Sequence, residues 1–406
     1  MSVDTALDKE SVADGSPEDV SLEHAVRDRY AKGASEVEAG LCCAATTYDP
    51  ALLELLPSEI VEKDYGCGDP AKYAIPGDVV IDLGSGSGKA CYILSQKVGQ
   101  SGRVIGLDFN DAMLSLARKY QATMAERIGY ANVEFRKARI QDMALDLDRA
   151  ATWLEQNPVS SVEGVDAYNA ECERLRKEQP LLADQSVDLI VSSCVLNLVR
   201  PDEKVKLFRE MHRVLKRGGR AVISDIVSDE DPTPDMMADP HLWSGCISGA
   251  FREDRFLEMF EEAGFYGIEI LNRQTEPWQT VDGIEFRAMT VRAFRGKEGT
   301  CWERNQAVIY QGPWKQVRDD DGHVLQRGQR MAVCDKNYQI LTNPAGPYAA
   351  DIVGVEPLQN IDLDEAELFD CKRPMIRDPR QTKGADYRNT ELSSDPNCCE
   401  PGGDCC

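Results

Sequence analysis

From Val79 onward, short apolar runs alternate with stretches in which apolar positions recur every three or four residues, the rhythm of strands interleaved with amphipathic helices. Val79-Val80-Ile81, Arg103 to Asp108 and Val133-Glu134-Phe135 read as strands, with Lys89 to Val98 and Ala112 to Ile128 as the helices between them. After an interruption the pattern resumes with Val187 to Ser193 as strand and Glu203 to Leu215 as helix. Gly218-Gly219 then leads into the strand Arg220 to Asp225. Such alternation predicts parallel strands buried under helices, an α/β doubly wound sheet.

The flanks behave differently. Residues 1 to about 20 are acidic, Ser-rich and short of aromatics, which predicts a disordered arm, with a helix following through Val26 and Tyr30. A short amphipathic helix is expected from Ala51 to Glu62, ending at Tyr65-Gly66-Cys67-Gly68, where paired glycines leave a cysteine on a loop. The interruption, Ala144 to Ala183, reads as two polar helices forming a surface excursion, with Cys172 expected at the surface. Beyond Cys301 the runs Ala307 to Tyr310 and Arg330 to Val333, joined by a turn at Asp319 to Gly322, predict a smaller β-rich domain. From Arg377 onward Pro, Gly and charge dominate, and a disordered tail is expected. The organisation is thus an acidic arm (1–40), a thiol-bearing segment (41–76), an α/β domain (77–297, insertion 144–183), a β-rich domain (298–376) and a Cys-rich tail (377–406).

Charge and cysteine content narrow the chemistry. A net charge of −24 without a basic run excludes nucleic acid as partner, because duplex binding relies on Lys and Arg neutralising phosphates. Neither a signal-peptide core nor an apolar stretch of roughly 18 residues is found, so a cytoplasmic protein with no membrane partner is expected. Cysteines stay reduced in that compartment, and the fourteen here point to ligation or catalysis rather than to a disulfide framework. Cys91, on an apolar helical face, reads as a buried hydrophobe.

The first strand runs into Asp82-Leu83-Gly84-Ser85-Gly86-Ser87-Gly88. Lys89 stands where a dinucleotide fingerprint would place its third glycine, which disfavours a nicotinamide cofactor. The turn instead suits the aminoacyl and ribose part of S-adenosylmethionine, with Asp82, Gly84, Ser85, Gly86 and Gly88 as candidate contacts. Asp108, closing the second strand, is placed to accept both ribose hydroxyls. Phe109, Asn110 and Met113 would line one side of the adenine and Ile140-Gln141 the other, with Ile140 alternatively ordinary core. Together with Leu215 to Gly219, this turn resembles that of the class I S-adenosylmethionine-dependent methyltransferases.

Cys67, Cys194 and Cys246 lie on separate segments that could converge. Cys194 follows a strand, where ligands of open α/β sheets bind, and Cys246 follows the fifth strand in Leu242-Trp243-Ser244-Gly245-Cys246. None has the C-x-x-C spacing of structural zinc. With Tyr65 to Gly68, Asp82 to Gly88, Ser193 to Leu198 and Gly249-Ala250, these segments resemble the arsenite S-adenosylmethionine methyltransferases from roughly Cys42 to Cys371.

The resemblance implies a functional set of Cys42 or Cys43, Cys67, Cys194 and Cys246, in which Cys67, Cys194 and Cys246 hold trivalent arsenic beside the sulfonium methyl. It implies arsenite, thiol-conjugated As(III) or methylarsenite as substrate, a disulfide between Cys67 and Cys42 or Cys43 after turnover, and thioredoxin or glutathione as reductant. Tyr65 either orders the loop near the sulfonium or merely packs. The tail cysteines Cys398, Cys399, Cys405 and Cys406 collect arsenic or are a weakly constrained appendage. A monomer is expected. The competing readings are a quinone-type C-methyltransferase and a non-enzymatic thiol buffer for soft metals.

Overall fold

Apolar runs at 79–83, 103–108, 133–137, 187–193 and 215–228 pair side by side as parallel strands, because helices cover both their faces. The computed structural model describes residues 17–38, 41, 48–372 and 375–384, and the chain divides into a unit from Met1 to Lys297 and a unit from Glu298 to Cys406.

The first unit opens with α1 (Pro17–Ser35), α2 (Pro50–Leu53) and α3 (Ser58–Glu62). The helix expected from Ala51 to Glu62 is therefore two helices, and Pro57, which caps the second, separates them. There follow β1 (Val79–Leu83), α4 (Lys89–Val98), β2 (Arg103–Asp108), α5 (Asp111–Lys119), α6 (Gln121–Ile128) and β3 (Val133–Lys137). The single helix expected from Ala112 to Ile128 breaks at Tyr120, whose hydroxyl bonds Glu59 of α3, as does its neighbour Lys119. The insertion is the helical pair α7 (Leu147–Gln156) and α8 (Val162–Glu178). Cys172 departs from expectation: it is buried with Leu145, Ala150 and Leu175, so the pair has a small core of its own.

β4 (Val187–Ser193), α9 (Pro201–Val214) and β5 (Leu215–Ser228) complete the wound half. Then come α10 (Pro234–Met237), α11 (Pro240–Ser244), β6 (Phe251–Arg252), α12 (Glu253–Glu262), β7 (Tyr266–Arg273), β8 (Gln279–Val281) and β9 (Ile284–Phe294). The sheet runs β3-β2-β1-β4-β5-β9-β7, with β9 antiparallel to both neighbours, β6 added beside β5 and β8 beside β9. Along β1, Ile81 and Leu83 face a core completed by Phe208 and Phe260, while Val80 faces another built on Tyr92 and Leu94. Strand order reverses between β1 and β4, and the carboxyl ends of that pair open the crevice where such sheets bind ligands.

The second unit comprises β10 (Trp302–Glu303), β11 (Ala307–Tyr310), β12 (Gln316–Arg318), β13 (Val324–Gln326), β14 (Arg330–Ala332), α13 (Asp335–Thr342), β15 (Ile352–Val355), β16 (Glu367–Leu368) and α14 (Pro379–Lys383). β11 pairs with β14 and β15, and β10 with β16. The turn at Asp319 to Gly322 closes the hairpin β12–β13 instead of joining β11 to β14. The first residues of the expected tail are structured: Arg377 is buried and ion-paired with Glu303 at 2.7 Å, and Thr382 of α14 is buried. Cys398, Cys399, Cys405 and Cys406 lie outside the described residues.

Candidate functional site

A cleft opens at the β1/β4 crevice. Asp82, Gly84, Ser85, Gly86, Asp108, Phe109, Asn110, Met113, Ile140, Gln141 and Tyr65 all line it. Gly88 does not; it caps α4, and a Cβ there would meet the Phe135 ring at 2.8 Å. Asp108 closes the turn from below by accepting from the backbone N–H of Gly86 at 2.9 Å and of Asn110 at 2.8 Å, which leaves carboxylate lone pairs for a ligand. Ile140 belongs to the apolar core and also lines the cleft wall. Gln141 donates to Glu203 at 2.8 Å, and Tyr65 donates to the Gly33 carbonyl at 3.0 Å while packing edge-on against Tyr30.

Two features of this cleft fit a cationic nucleoside. Ser85 Oγ is buried without a hydrogen-bond partner among the described residues, a vacancy that a polar ligand would fill. Burial pushes the Asp82 carboxyl up to about 7, helped by the nearby Asp64 and Asp108 charges, although the Cys91 thiol donates to it at 3.1 Å. Cys91 is thus the buried residue expected, with a polar contact as well. A positive group beside Asp82 would reverse the burial penalty.

The thiols gather at one edge of the cleft. Cys194, at the carboxyl end of β4, lines the cleft and is disulfide-bonded to Cys67. Cys246 Sγ donates to the Cys194 carbonyl at 3.4 Å. All three residues are at most 3% exposed, within an apolar cluster that includes Ile226, Met236, Ile247 and Phe286. The observed pairing differs from the one expected, Cys67 with Cys42 or Cys43; both of those lie outside the described residues. Glycines on either side bring the Cys67 loop down onto the strand ends: a Cβ on Gly66 would stand 2.5 Å from Ser193 Oγ, and one on Gly68 2.7 Å from Ser224 Oγ. Ser193 Oγ donates to the Cys67 carbonyl at 2.7 Å and fixes the loop. Cys194 and Cys246 both have left-handed backbones, φ 57° and 63°, a conformation that persists at functional positions when the surroundings enforce it.

Sequence reasoning missed two parts of the site. Asp225 of β5 places a carboxylate within 4.8 Å of the Cys67 and Cys194 sulfurs, and burial raises it to about 6. Its position, two residues after the apolar run Ala221-Val222-Ile223 within β5, was the available signal. The other part is α1, which contributes Glu23, Val26 and Tyr30 to the cleft wall. Arg29 of α1 donates to the His241 carbonyl and Ser244 Oγ, both at 3.0 Å, and Tyr30 Oη lies 3.9 Å from Cys246 Sγ. The alternation of apolar and charged residues on this helix identifies a covered face but not what it covers.

The segment carrying Cys246 is anchored by Asn197, whose amide donates to the Ile226 carbonyl at 2.7 Å and the Cys246 carbonyl at 3.2 Å. Lys204 Nζ holds the Gly249 carbonyl at 2.5 Å. A Cβ on Gly249 would fall 1.9 Å from the Asn197 carbonyl oxygen. Gly249→Ala is therefore expected to lower unfolding free energy by about 1–3 kcal/mol, read from chemical denaturation, and to displace Cys246 enough to reduce turnover.

The chain is similar to several known proteins. Residues 75–166 and 161–264 match the model of a methyltransferase domain, and residues 297–387 match a domain of unknown function (DUF8838). The fold is similar to the crystal structure of an arsenic(III) S-adenosylmethionine methyltransferase from Chlamydomonas reinhardtii, with a TM-score of 0.52 and 25% identity over 80% of this chain and 100% of that one. The arsenite methyltransferase of Rattus norvegicus is 25% identical over 413 aligned residues, covering 96% of this chain and 98% of its own. That of Aquipseudomonas alcaligenes is 32% identical over 340 residues, covering 79% of this chain and 87% of its own. With matches of that extent, this chain belongs to the arsenite methyltransferase family.

Proposed function

We propose that the protein transfers methyl groups from S-adenosylmethionine to trivalent arsenic held by the thiolates of Cys67, Cys194 and Cys246. The observation that carries this reading is the double position of Cys194, which lines the cofactor cleft and at the same time bonds Cys67. An arsenic atom on these sulfurs keeps a lone pair on its open face, and that pair is the nucleophile. Bound in the cleft, S-adenosylmethionine supplies the electrophilic methyl group. Asp82 and Asp108 hold and orient its cationic and ribose ends, and Ser85 offers its hydroxyl. Fixing the arsenic at the cleft edge is the main contribution of the protein, an entropic gain of up to about 7–11 kcal/mol in well-oriented systems. No proton leaves arsenic on alkylation, which agrees with a chain of only 4 histidines.

Methylation takes arsenic formally to the pentavalent state. Two electrons return when two of its sulfur ligands couple, restoring trivalent arsenic with one more carbon and leaving a disulfide. The Cys67–Cys194 bond has the connectivity of that product. A thiol-disulfide exchange step with thioredoxin or glutathione then reopens the site. A carbon acceptor of the quinone type would have no use for three converging sulfurs. No helix among the described residues is long and apolar enough to cross a membrane, and a cytoplasmic monomer is the setting proposed.

Arsenic speciation after incubation with arsenite and S-adenosylmethionine tests the reading. Oxidised protein is expected to yield no methylated product, pre-reduced protein about one turnover per chain, and continuous thioredoxin or glutathione sustained methylation. Sustained turnover by the oxidised form would refute the role of the disulfide. Methylation of a phenolic or quinol acceptor in place of arsenite would refute the substrate.

A further inference from the structure

The second unit contains a thiol cluster that the methyl-transfer reaction does not use. Cys301 precedes β10, Cys371 follows β16, and the antiparallel pairing of those strands, with the Phe369 N–H donating to the Cys301 carbonyl at 2.8 Å, brings the two together. Cys334 caps α13, its Sγ accepting from the Asn337 N–H at 3.4 Å. The three sulfurs lie within 4.8 Å of one another and are not joined by disulfides. Cys334 is buried, whereas Cys301 and Cys371 are half-buried, so the cluster has a solvent-facing side. The residues are 33 and 37 positions apart, far from any C-x-x-C pattern, and only the folded chain reveals them.

We propose that Cys301, Cys334 and Cys371 form a second, non-catalytic site that takes trivalent arsenic as a three-coordinate thiolate complex. Soft thiolates select thiophilic elements, and the number of donors decides among these. Structural zinc takes four ligands in a tetrahedron, yet no fourth cysteine, histidine or carboxylate joins these three among the described residues. Trivalent arsenic is satisfied by three sulfurs and its lone pair.

Proton balance points the same way. Burial pushes the Cys334 and Cys371 thiols up. A divalent cation must expel their protons, and its affinity falls as pH falls. Neutral arsenous acid need not do so: three As–O bonds break, three As–S bonds form, and the three thiol protons leave with the three hydroxides as water. No electrons move, and arsenic remains trivalent.

The inference rests on the proposed function only in taking trivalent arsenic as the element the protein meets, and its test requires no methyl transfer. In the reduced full-length chain, Cys42, Cys43, Cys67, Cys194, Cys246, Cys398, Cys399, Cys405 and Cys406 are replaced by serine. Arsenite binding is measured by equilibrium dialysis with elemental mass spectrometry, and occupancy by maleimide protection of Cys301 and Cys371. The expected result is one arsenic per chain, both thiols protected, and affinity nearly constant between pH 6 and 8.

Adding Cys334→Ser keeps a side chain able to cap α13 and removes one sulfur; affinity should drop about a hundredfold or more as one of three linked bonds is lost. Cys371→Ser, at a half-exposed position, should do the same without disturbing the fold. Absence of bound arsenic, unchanged binding in both serine variants, or displacement of arsenite by equimolar zinc at pH 6.5 would each overturn the site. Arsenic retained here while the unmodified chain fails to methylate would sink the proposed function and leave this site standing.

Discussion

Cys246→Ser is expected to reduce arsenite methylation by at least about a hundredfold, the scale of loss when a reacting atom is misplaced by about 1 Å, with affinity for S-adenosylmethionine unchanged. Serine preserves the size of the side chain and can still donate to the Cys194 carbonyl, so neither the cluster around Ile247 and Phe286 nor the backbone at 246 needs to move. What disappears is a soft donor, and a hydroxyl does not replace it toward a thiophilic element. Cys194→Ser should be as damaging to turnover and in addition should remove the bond to Cys67, which is scored by counting reactive thiols in the oxidised protein. Arsenic speciation gives the rate, and calorimetric titration gives the cofactor affinity. Full activity in either variant would dismiss the assignment.

The second large effect expected is a pH dependence of cofactor binding governed by Asp82. Its carboxyl titrates at about 7 in the folded protein, above its ordinary value of 3.8, because burial penalises the charged form. A raised carboxyl favours the folded state fully below the unfolded value, and that contribution is lost as pH rises through about 7. The free protein should therefore lose stability between about pH 4 and 7 and level off above. A bound cation compensates the buried charge, so the thermal shift produced by S-adenosylmethionine should grow over the same interval, by up to roughly tenfold in affinity per pH unit for one linked proton. Asp82→Asn should flatten the profile. A cofactor-induced shift that stays constant from pH 5 to 7 in the unmodified protein would show that no cation sits beside this carboxyl.

The wound half of the fold was legible because its strands are continuous apolar runs and its helices keep a clear period. The antiparallel extension β7–β9 was not. Arg287 and Arg292 interrupt the apolar alternation of β9, and the first is buried with its guanidinium bonded to the Thr275 carbonyl at 2.7 Å, a tertiary compensation that no local pattern announces. The cleft residues could be named in advance since the glycine turn and Asp108 are fixed by strand ends, whereas the roles of α1 and Asp225 depend on long-range packing. Sulfur partners were the least readable feature. Cys67 and Cys194 are 127 residues apart, and the trio in the second unit is scattered over 71 positions, so only the closing of the chain decides which thiols meet.

The left-handed backbones of Cys194 and Cys246 set two opposing costs against each other. A side chain at such an angle costs about 1–2 kcal/mol that glycine would not, whereas glycine at either place would empty a packed corner of the apolar cluster around Ile226 and Phe286. Backbone relief and lost packing thus pull against each other at both sulfurs.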